Sequence, residues 1–136
     1  MKITGFNPSI LTSKPDEIIR LFEDLGFEKS HHDDSESGIV SGSVRMKYAD
    51  VFRIDITTTD QYLQDKTLIR MNVDDIEDAY RLLLERDFHN ALGDGMIIEA
   101  KHFRGAHMIS PSGFEFIVMQ HKKQTDADSR LQKRII

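Results

Sequence analysis

The stretch ISPSGFEFIVMQ, residues 109–120, decides the fold. Pro111 sets one backbone angle and Gly113 tolerates positive φ, so the Ser-Pro-Ser-Gly segment predicts a tight turn. The side chains after it alternate in direction, which is typical of a strand. One face carries Phe114, Phe116 and Val118, and the other carries Glu115, Ile117 and Met119. If the first set packs on a helix, the second set lines the far face of the sheet, and that face decides the function.

Composition restricts the class of protein. The chain has 136 residues, a net charge of −5 and no cysteine. This length suits one compact domain, and the charge does not point to a nucleic-acid or anionic membrane surface. The lack of cysteine excludes disulfides, thiolate nucleophiles and Cys-ligated zinc. No apolar run approaches the roughly 18 residues of a membrane span, and the first residues open no signal peptide. We therefore expect a soluble, cytoplasmic protein.

The first half of the chain predicts one helix among several strands. Residues 2–12 read as a strand, after which Ser13 is the expected N-cap of a helix that Gly26 ends. Its apolar stripe is predicted at Ile18, Leu21, Phe22 and Leu25. Further strands are predicted from Phe27, over 44–48 and over 51–57, and the polar residues 31–38 predict a loop or exposed hairpin. Residues 58–66 are polar and connect this half to the next.

The same order of a strand, a helix and further strands then begins again. Residues 67–73 predict a strand, and Asp75 is the expected N-cap of a helix whose buried stripe is Ile76, Ala79, Tyr80 and Leu83. Strands are predicted over 96–103, 106–109 and 114–120, with a turn at Arg104-Gly105.

The two halves keep a nearly constant spacing, which indicates an internal repeat. The expected helix caps Ser13 and Asp75 are 62 positions apart, and the aromatic residues after the helices, Phe27 and Phe88, are 61 apart. We therefore predict two βαβββ modules, 1–60 and 61–122, that form one domain, and a C-terminal tail or short helix at 123–136. The alternative is a generic α+β domain with coincidental spacing.

With this repeat the chain resembles the vicinal oxygen chelate superfamily, which includes glyoxalase I, bleomycin-resistance proteins and extradiol dioxygenases. The resemblance rests on residues 22–27, residues 73–77 and the Ser-Pro-Ser-Gly turn at 110–113. It implies the glyoxalase/bleomycin-resistance fold, an α+β arrangement in which two modules form a curved mixed sheet, or open barrel, with helices outside and a cavity inside. It also implies a homodimer.

Metal enzymes of this superfamily place His, Gln or Glu ligands on equivalent strands of both modules. Carried over by register, these positions fall at Asn7, Leu68 and Ile117, with a fourth near Arg53 or Asp55. Asparagine is a poor ligand for transition metals, and leucine and isoleucine cannot ligate. The resemblance therefore predicts neither a metal nor a cofactor here. A two-His site at His102 and His107 with Glu99 or Glu115 is the alternative.

The alternation predicts an unusually polar concave face. Arg53 and Arg70 could converge there and bind a carboxylate or phosphate, with Leu68, Ile117 and Met119 against its apolar part. In the alternative, Arg53, Asp55, Arg70 and Glu115 pair with one another and bind nothing. The candidate ligand-binding residues are Asn7, Ser9, Arg53, Asp55, Arg70, Asn72, Glu115, Ile117 and Met119.

Two functions follow from these observations. The first is a metal-free binding protein of the bleomycin-resistance kind, which holds a small polar or anionic molecule. The alternative is a glyoxalase- or dioxygenase-like enzyme, a lyase or oxidoreductase, with a divergent metal site or an acid/base site. The sequence favours the binding protein, because Asn7, Leu68 and Ile117 replace the ligands that an enzyme of this kind needs.

Overall fold

Nine strands and two helices follow one another in the described part of the chain, residues 1–32 and 42–122 of a computed structural model. In chain order they are β1 (Ile3–Thr12), α1 (Pro15–Asp24), β2 (Glu28–His32), β3 (Ser43–Tyr48), β4 (Phe52–Thr58), β5 (Lys66–Val73), α2 (Ile76–Glu85), β6 (His89–Asn90), β7 (Ile98–Glu99), β8 (Phe103–Ile109) and β9 (Glu115–His121). The predicted loop at 31–38 begins inside β2, and its remainder lies outside the described residues, as does the predicted tail at 123–136. Of the described residues, no helix is long and apolar enough to cross a membrane.

The strands form one curved, unclosed mixed sheet, which confirms the predicted α+β fold class. Their order is β2-β3-β4-β1-β5-β9-β8-β6, and β7 pairs with β8. At the centre β1 and β5 run antiparallel, while β1 is parallel to β4 and β5 is parallel to β9. Outward from this centre, each side shows a parallel pair followed by antiparallel neighbours. The division into modules 1–60 and 61–122 stays a prediction.

Helix α1 packs differently from its predicted stripe. Ile19 is buried and packs with Met46 and the β4 isoleucines, whereas Leu21 and Leu25 are 50% and 58% exposed. The prediction for Leu21 and Leu25 is therefore wrong. Leucines four apart share one helix flank, and in this helix the sheet contacts the neighbouring flank that carries Ile18, Ile19 and Phe22.

The N-cap of α1 also differs from the prediction. The cap residue is Lys14 rather than Ser13, and its side chain makes no capping hydrogen bond. The Lys14 N–H instead donates to the Thr12 hydroxyl at 3.0 Å. The last residue of β1 thus stabilises the turn into the helix.

Helix α2 agrees with the sequence. The Asp78 N–H donates to the Asp75 carboxylate at 3.1 Å, which confirms the predicted cap. Ile76, Ala79 and Leu83 are buried in a cluster with side chains from β5, β8 and β9. The helix therefore lies on the face of the sheet opposite to Glu115, Ile117 and Met119.

The segment before β9 contains one wrong prediction. In place of a strand over 96–103 and a turn at Arg104-Gly105, β7 has only two residues, and β8 runs through Arg104 and Gly105. The turn lies at residues 101–102, where the Ala100 N–H donates to the Phe103 carbonyl at 2.9 Å. Gly105 lies opposite Met119 inside the sheet, so this glycine belongs to a strand rather than to a turn.

The turn into β9 is confirmed. Gly113 has φ +94, and its N–H donates to the Ser110 carbonyl at 3.0 Å. In the strand that follows, Glu115, Ile117 and Met119 are buried on the concave face, while Val118 packs under α2. The alternation predicted for residues 114–120 is therefore confirmed.

Candidate ligand-binding site

The four central strands bring the predicted site residues together on the concave face. The register places Asn7 beside Arg70, and Ser9 between Asp55 and Leu68. Arg70 in turn lies beside Ile117. Neighbouring side chains on one face of a sheet are in contact range, so these residues form a continuous surface.

Asp55 is the centre of the first charged cluster on this surface. Its carboxylate is 1% exposed and accepts hydrogen bonds from Asn7 Nδ2 at 2.9 Å, Arg45 Nε at 3.3 Å and Arg70 Nη1 at 3.5 Å. Buried charges persist in proteins when they are paired in this way. Ser9 is also buried, and its hydroxyl lies 3.3 Å from that of Thr57. Asp55, Arg70 and Ser9 thus have structural contacts of their own.

Glu115 is the centre of the second charged cluster. Its buried carboxylate forms an ion pair with Lys66 and lies 2.6 Å from His107 Nε2. The Lys66 ammonium is 4.8 Å from the centre of the Tyr62 ring. The hydrogen bond to Glu115 raises the pKa of Lys66 above its usual value. Lys66 is therefore a firmly held cation rather than a nucleophile.

The predicted mutual pairing of four charges is realised only for Asp55 and Arg70. Glu115 takes Lys66 and His107 as partners instead. Arg53 is exposed and forms no ion pair with any residue in 1–32 or 42–122. The concave face therefore has a guanidinium that the described fold does not use.

Arg53 lines a cavity of about 310 Å³ together with Arg45, Asn7 and Asn72, which we call the arginine cavity. Arg45, rather than the predicted Arg70, accompanies Arg53 there. The Asn72 Oδ1 atom is buried and has no hydrogen-bond donor in the described part of the chain. Gly5 makes room for this amide, since a Cβ at residue 5 would lie 2.8 Å from Asn72 Nδ2.

A second cavity of about 300 Å³ lies toward the other end of β1 and β5; we call it the histidine cavity. Its apolar floor consists of Leu11, Leu68 and Ile117, and His107 and the segment 57–62 form its polar wall. Met119 belongs to the same apolar cluster as the floor. Ile117 is thus the one candidate ligand-binding residue that lines this cavity.

The positions that hold a metal in the superfamily do not fit one here. Leu68 and Ile117 are buried in an apolar cluster, and the Asn7 amide is bonded to Asp55. Within the described ranges, no three His, Cys, Asp or Glu side chains are grouped as a metal site. His102 is exposed, and Glu99 is paired with Arg104 and Lys122, so the described residues do not assemble the two-His alternative with Glu99.

Sequence reasoning missed Arg45 and Lys66 as site residues, and it considered His107 only as a ligand in the two-His alternative. The alternation that places Leu68 and Arg70 on the concave face extends to Lys66, although Lys66 ends the polar stretch 58–66 that predicts a connecting segment. Arg45 lies opposite Asp55 and His107 opposite Ile117. Only the pairing of strands reveals these two neighbours, and no local pattern encodes it.

Solved structures share this architecture. A glyoxalase/bleomycin resistance protein/dioxygenase superfamily member from Vibrio splendidus 12B01 superposes with a TM-score of 0.61 and 17% identity, over 88% of this chain and 99% of that one. The chain has the vicinal oxygen chelate fold. A Staphylococcus aureus protein shares this fold with a TM-score of 0.63 and 12% identity, over 90% of this chain and 100% of that one.

The vicinal oxygen chelate fold does not by itself fix a reaction. A Legionella pneumophila protein described as an NAD-dependent benzaldehyde dehydrogenase superposes with a TM-score of 0.62 and 6% identity, over 87% of this chain and 100% of that one. No family model matches the sequence. No curated protein matches it either. Function therefore depends on the side chains that the concave face carries.

Proposed function

We propose that this chain is a metal-free binding protein of the vicinal oxygen chelate fold that holds a small anionic molecule in the arginine cavity. One observation carries the proposal: Arg45 and Arg53 line the same cavity, and Arg53 forms no ion pair with the described residues. Planar guanidinium groups bind carboxylates and phosphates through paired hydrogen bonds. Two of them at one cavity favour an anionic ligand.

The burial of the partner carboxylate supports an anionic ligand. The Asp55 side chain is 1% exposed, whereas the Arg45 side chain is 31% exposed. Arg45 contacts Asp55 through Nε, which leaves its two terminal nitrogens for other acceptors. A ligand in this cavity therefore meets guanidinium groups rather than the carboxylate that holds one of them.

The amides at the same cavity would orient the ligand. Asn7 donates its Nδ2 hydrogens to Asp55 and to the Pro8 carbonyl, so its Oδ1 is left as an acceptor. Asn72 reaches the cavity beside Gly5. An anion can bind here through charge and hydrogen bonds alone. The function therefore needs no metal, which agrees with side chains at Asn7, Leu68 and Ile117 that do not fit one.

Anion titrations test the proposal. Inorganic phosphate and malonate serve as probes, and binding is measured by calorimetry and by the rise in Tm. Replacement Arg53→Met removes a charge-assisted hydrogen bond, which contributes about 1.5–3 kcal/mol, so we expect affinity to fall by roughly 10- to 150-fold. The Tm without ligand should not change, because Arg53 has no partner within the described fold.

The matched control is Arg86→Met, which removes an exposed arginine at the C-cap of α2, away from the cavity. It should bind both probes as the wild-type protein does. Equal losses of affinity in the two variants would mean that anion binding depends only on net charge, and the proposal would then fail. It would also fail if the wild-type protein bound neither probe.

The resemblance also implies a homodimer, and the sequence implies a cytoplasmic location. Both stay predictions. Sedimentation of the purified protein checks the first, and a tagged protein in fractionated cells checks the second.

A further inference from the structure

The histidine cavity differs in chemistry from the arginine cavity. Asp60 is the one carboxylate among its lining residues, and no lysine or arginine of the described chain lines it. The threonine, glutamine and histidine side chains on its wall can all accept hydrogen bonds. This cavity therefore does not suit an anion, and it suits a ligand that donates hydrogen bonds.

The contact with Glu115 determines which nitrogen of His107 can act as an acceptor. Glu115, as the partner of Lys66, is a carboxylate and has no hydrogen to donate. His107 Nε2, at 2.6 Å from this carboxylate, must then carry the hydrogen. In the neutral ring Nδ1 keeps its lone pair, and within the described part of the chain Nδ1 forms no hydrogen bond.

The surroundings of His107 determine the shape of the ligand. The His107 side chain is 17% exposed and lines the cavity above the floor of Leu11, Leu68 and Ile117. These three aliphatic side chains are only 9%, 2% and 5% exposed, so they give an apolar body a small contact surface. A volume of about 300 Å³ lies at the lower end of the range for small-molecule sites.

We propose that the histidine cavity is a second ligand site, which binds a small uncharged alcohol with its apolar part on Leu11, Leu68 and Ile117 and its hydroxyl donating to His107 Nδ1. Glu115 is the positioning residue, since it fixes the ring and its tautomer. Lys66 holds Glu115 in turn. This site shares no lining residue with the arginine cavity, so it does not depend on the anion-binding function.

Nitrogen NMR of the histidine rings tests the site, with benzyl alcohol as the probe. In the free protein at neutral pH, His107 should be the Nε2–H tautomer. Benzyl alcohol should shift the His107 Nδ1 resonance and leave the other histidines unchanged. His107→Phe should lower affinity at least tenfold, and Leu68→Phe, which fills the floor, should do the same while His107 keeps its tautomer.

The matched control is His89→Phe, because His89 is exposed on β6 and does not line the cavity. This variant should bind as the wild-type protein does. An Nδ1–H tautomer in the free protein, or undiminished binding by both His107→Phe and Leu68→Phe, would overturn the proposal. If benzylamine bound more tightly than benzyl alcohol, the proposal that the ligand is uncharged would be wrong. Phosphate binding is measured separately, so either site can fail alone.

Discussion

At the scale of single residues, Asp55 combines a structural role with the role proposed for it at the arginine cavity. Its buried carboxylate holds Asn7 and Arg45 at the arginine cavity and also neutralises Arg70. Removing one partner of a buried ion pair typically costs about 3–5 kcal/mol. We therefore expect stability and the proposed anion binding to depend on the same side chain.

We expect Asp55→Asn to lower the free energy of unfolding by about 3–5 kcal/mol, measured in urea at neutral pH. The control is Asp50→Asn, at the exposed turn between β3 and β4, where the carboxylate is 86% exposed and pairs with Lys47. That change should stay within about 0.5 kcal/mol. Similar small losses in both variants would show that Asp55 is not the buried centre of the cluster.

The sequence was sufficient to predict the face of the sheet for those residues whose position follows from alternation alone. Asn7, Arg70 and Ile117 lie on the concave face because every second side chain of a strand points the same way. Arg45 could not be found in this way, and the sequence indicated His107 only as part of a two-His metal site. Their importance comes from the strand opposite, and register depends on pairing across the whole sheet.

At the scale of elements, Arg104 links α2 to the short strand β7. Its guanidinium bonds Glu77 on the helix and lies 2.7 Å from Glu99 on the strand. Arg104 lowers the pKa of both carboxyl groups. Because their folded pKa lies below the unfolded value, these pairs stabilise the fold above the unfolded pKa, and the contribution is lost as the pH falls through the folded one.

Arg104→Met should therefore lower Tm at neutral pH by about 2 °C, a modest effect because exposed pairs contribute little. The difference from the wild-type protein should vanish in acid, where both glutamates are protonated. Arg81→Met is the control, since Arg81 pairs with Asp78 inside one helix. A difference that persists in acid would mean that Arg104 acts through packing rather than through charge.

The helices, strands and turns also show which features residues close in sequence can predict and which they cannot. The Asp75 cap and the Gly113 turn were predicted because each depends on residues within four positions. Leu21 and Leu25 were misassigned because periodicity finds an apolar flank but not the flank that meets the sheet. Arg104 and Gly105 were read as a turn because their strand exists only through pairing with β9 and β7.

At the scale of the whole molecule, the central pair β1 and β5 brings the first strand of each half together. This arrangement is what places Asn7, Leu68 and Ile117 on a common surface. Two of these three positions, which the resemblance equates with metal ligands, carry aliphatic side chains. The metal-free function proposed for this chain depends on side chains, not on the scaffold.

Restoring donors to this scaffold tests the argument. We expect Zn²⁺, Ni²⁺ and Mn²⁺ to leave the Tm of the wild-type protein unchanged. The triple variant Asn7→His, Leu68→His, Ile117→Glu should gain stability with at least one of these ions, by about 2.7 kcal/mol at 100 times the dissociation constant. Asn7→His alone is the control, because one imidazole cannot chelate. Stabilisation of the wild-type protein would contradict the metal-free proposal. A folded triple variant that no ion stabilises would instead show that the three positions do not converge, so the register relating the two halves would be wrong.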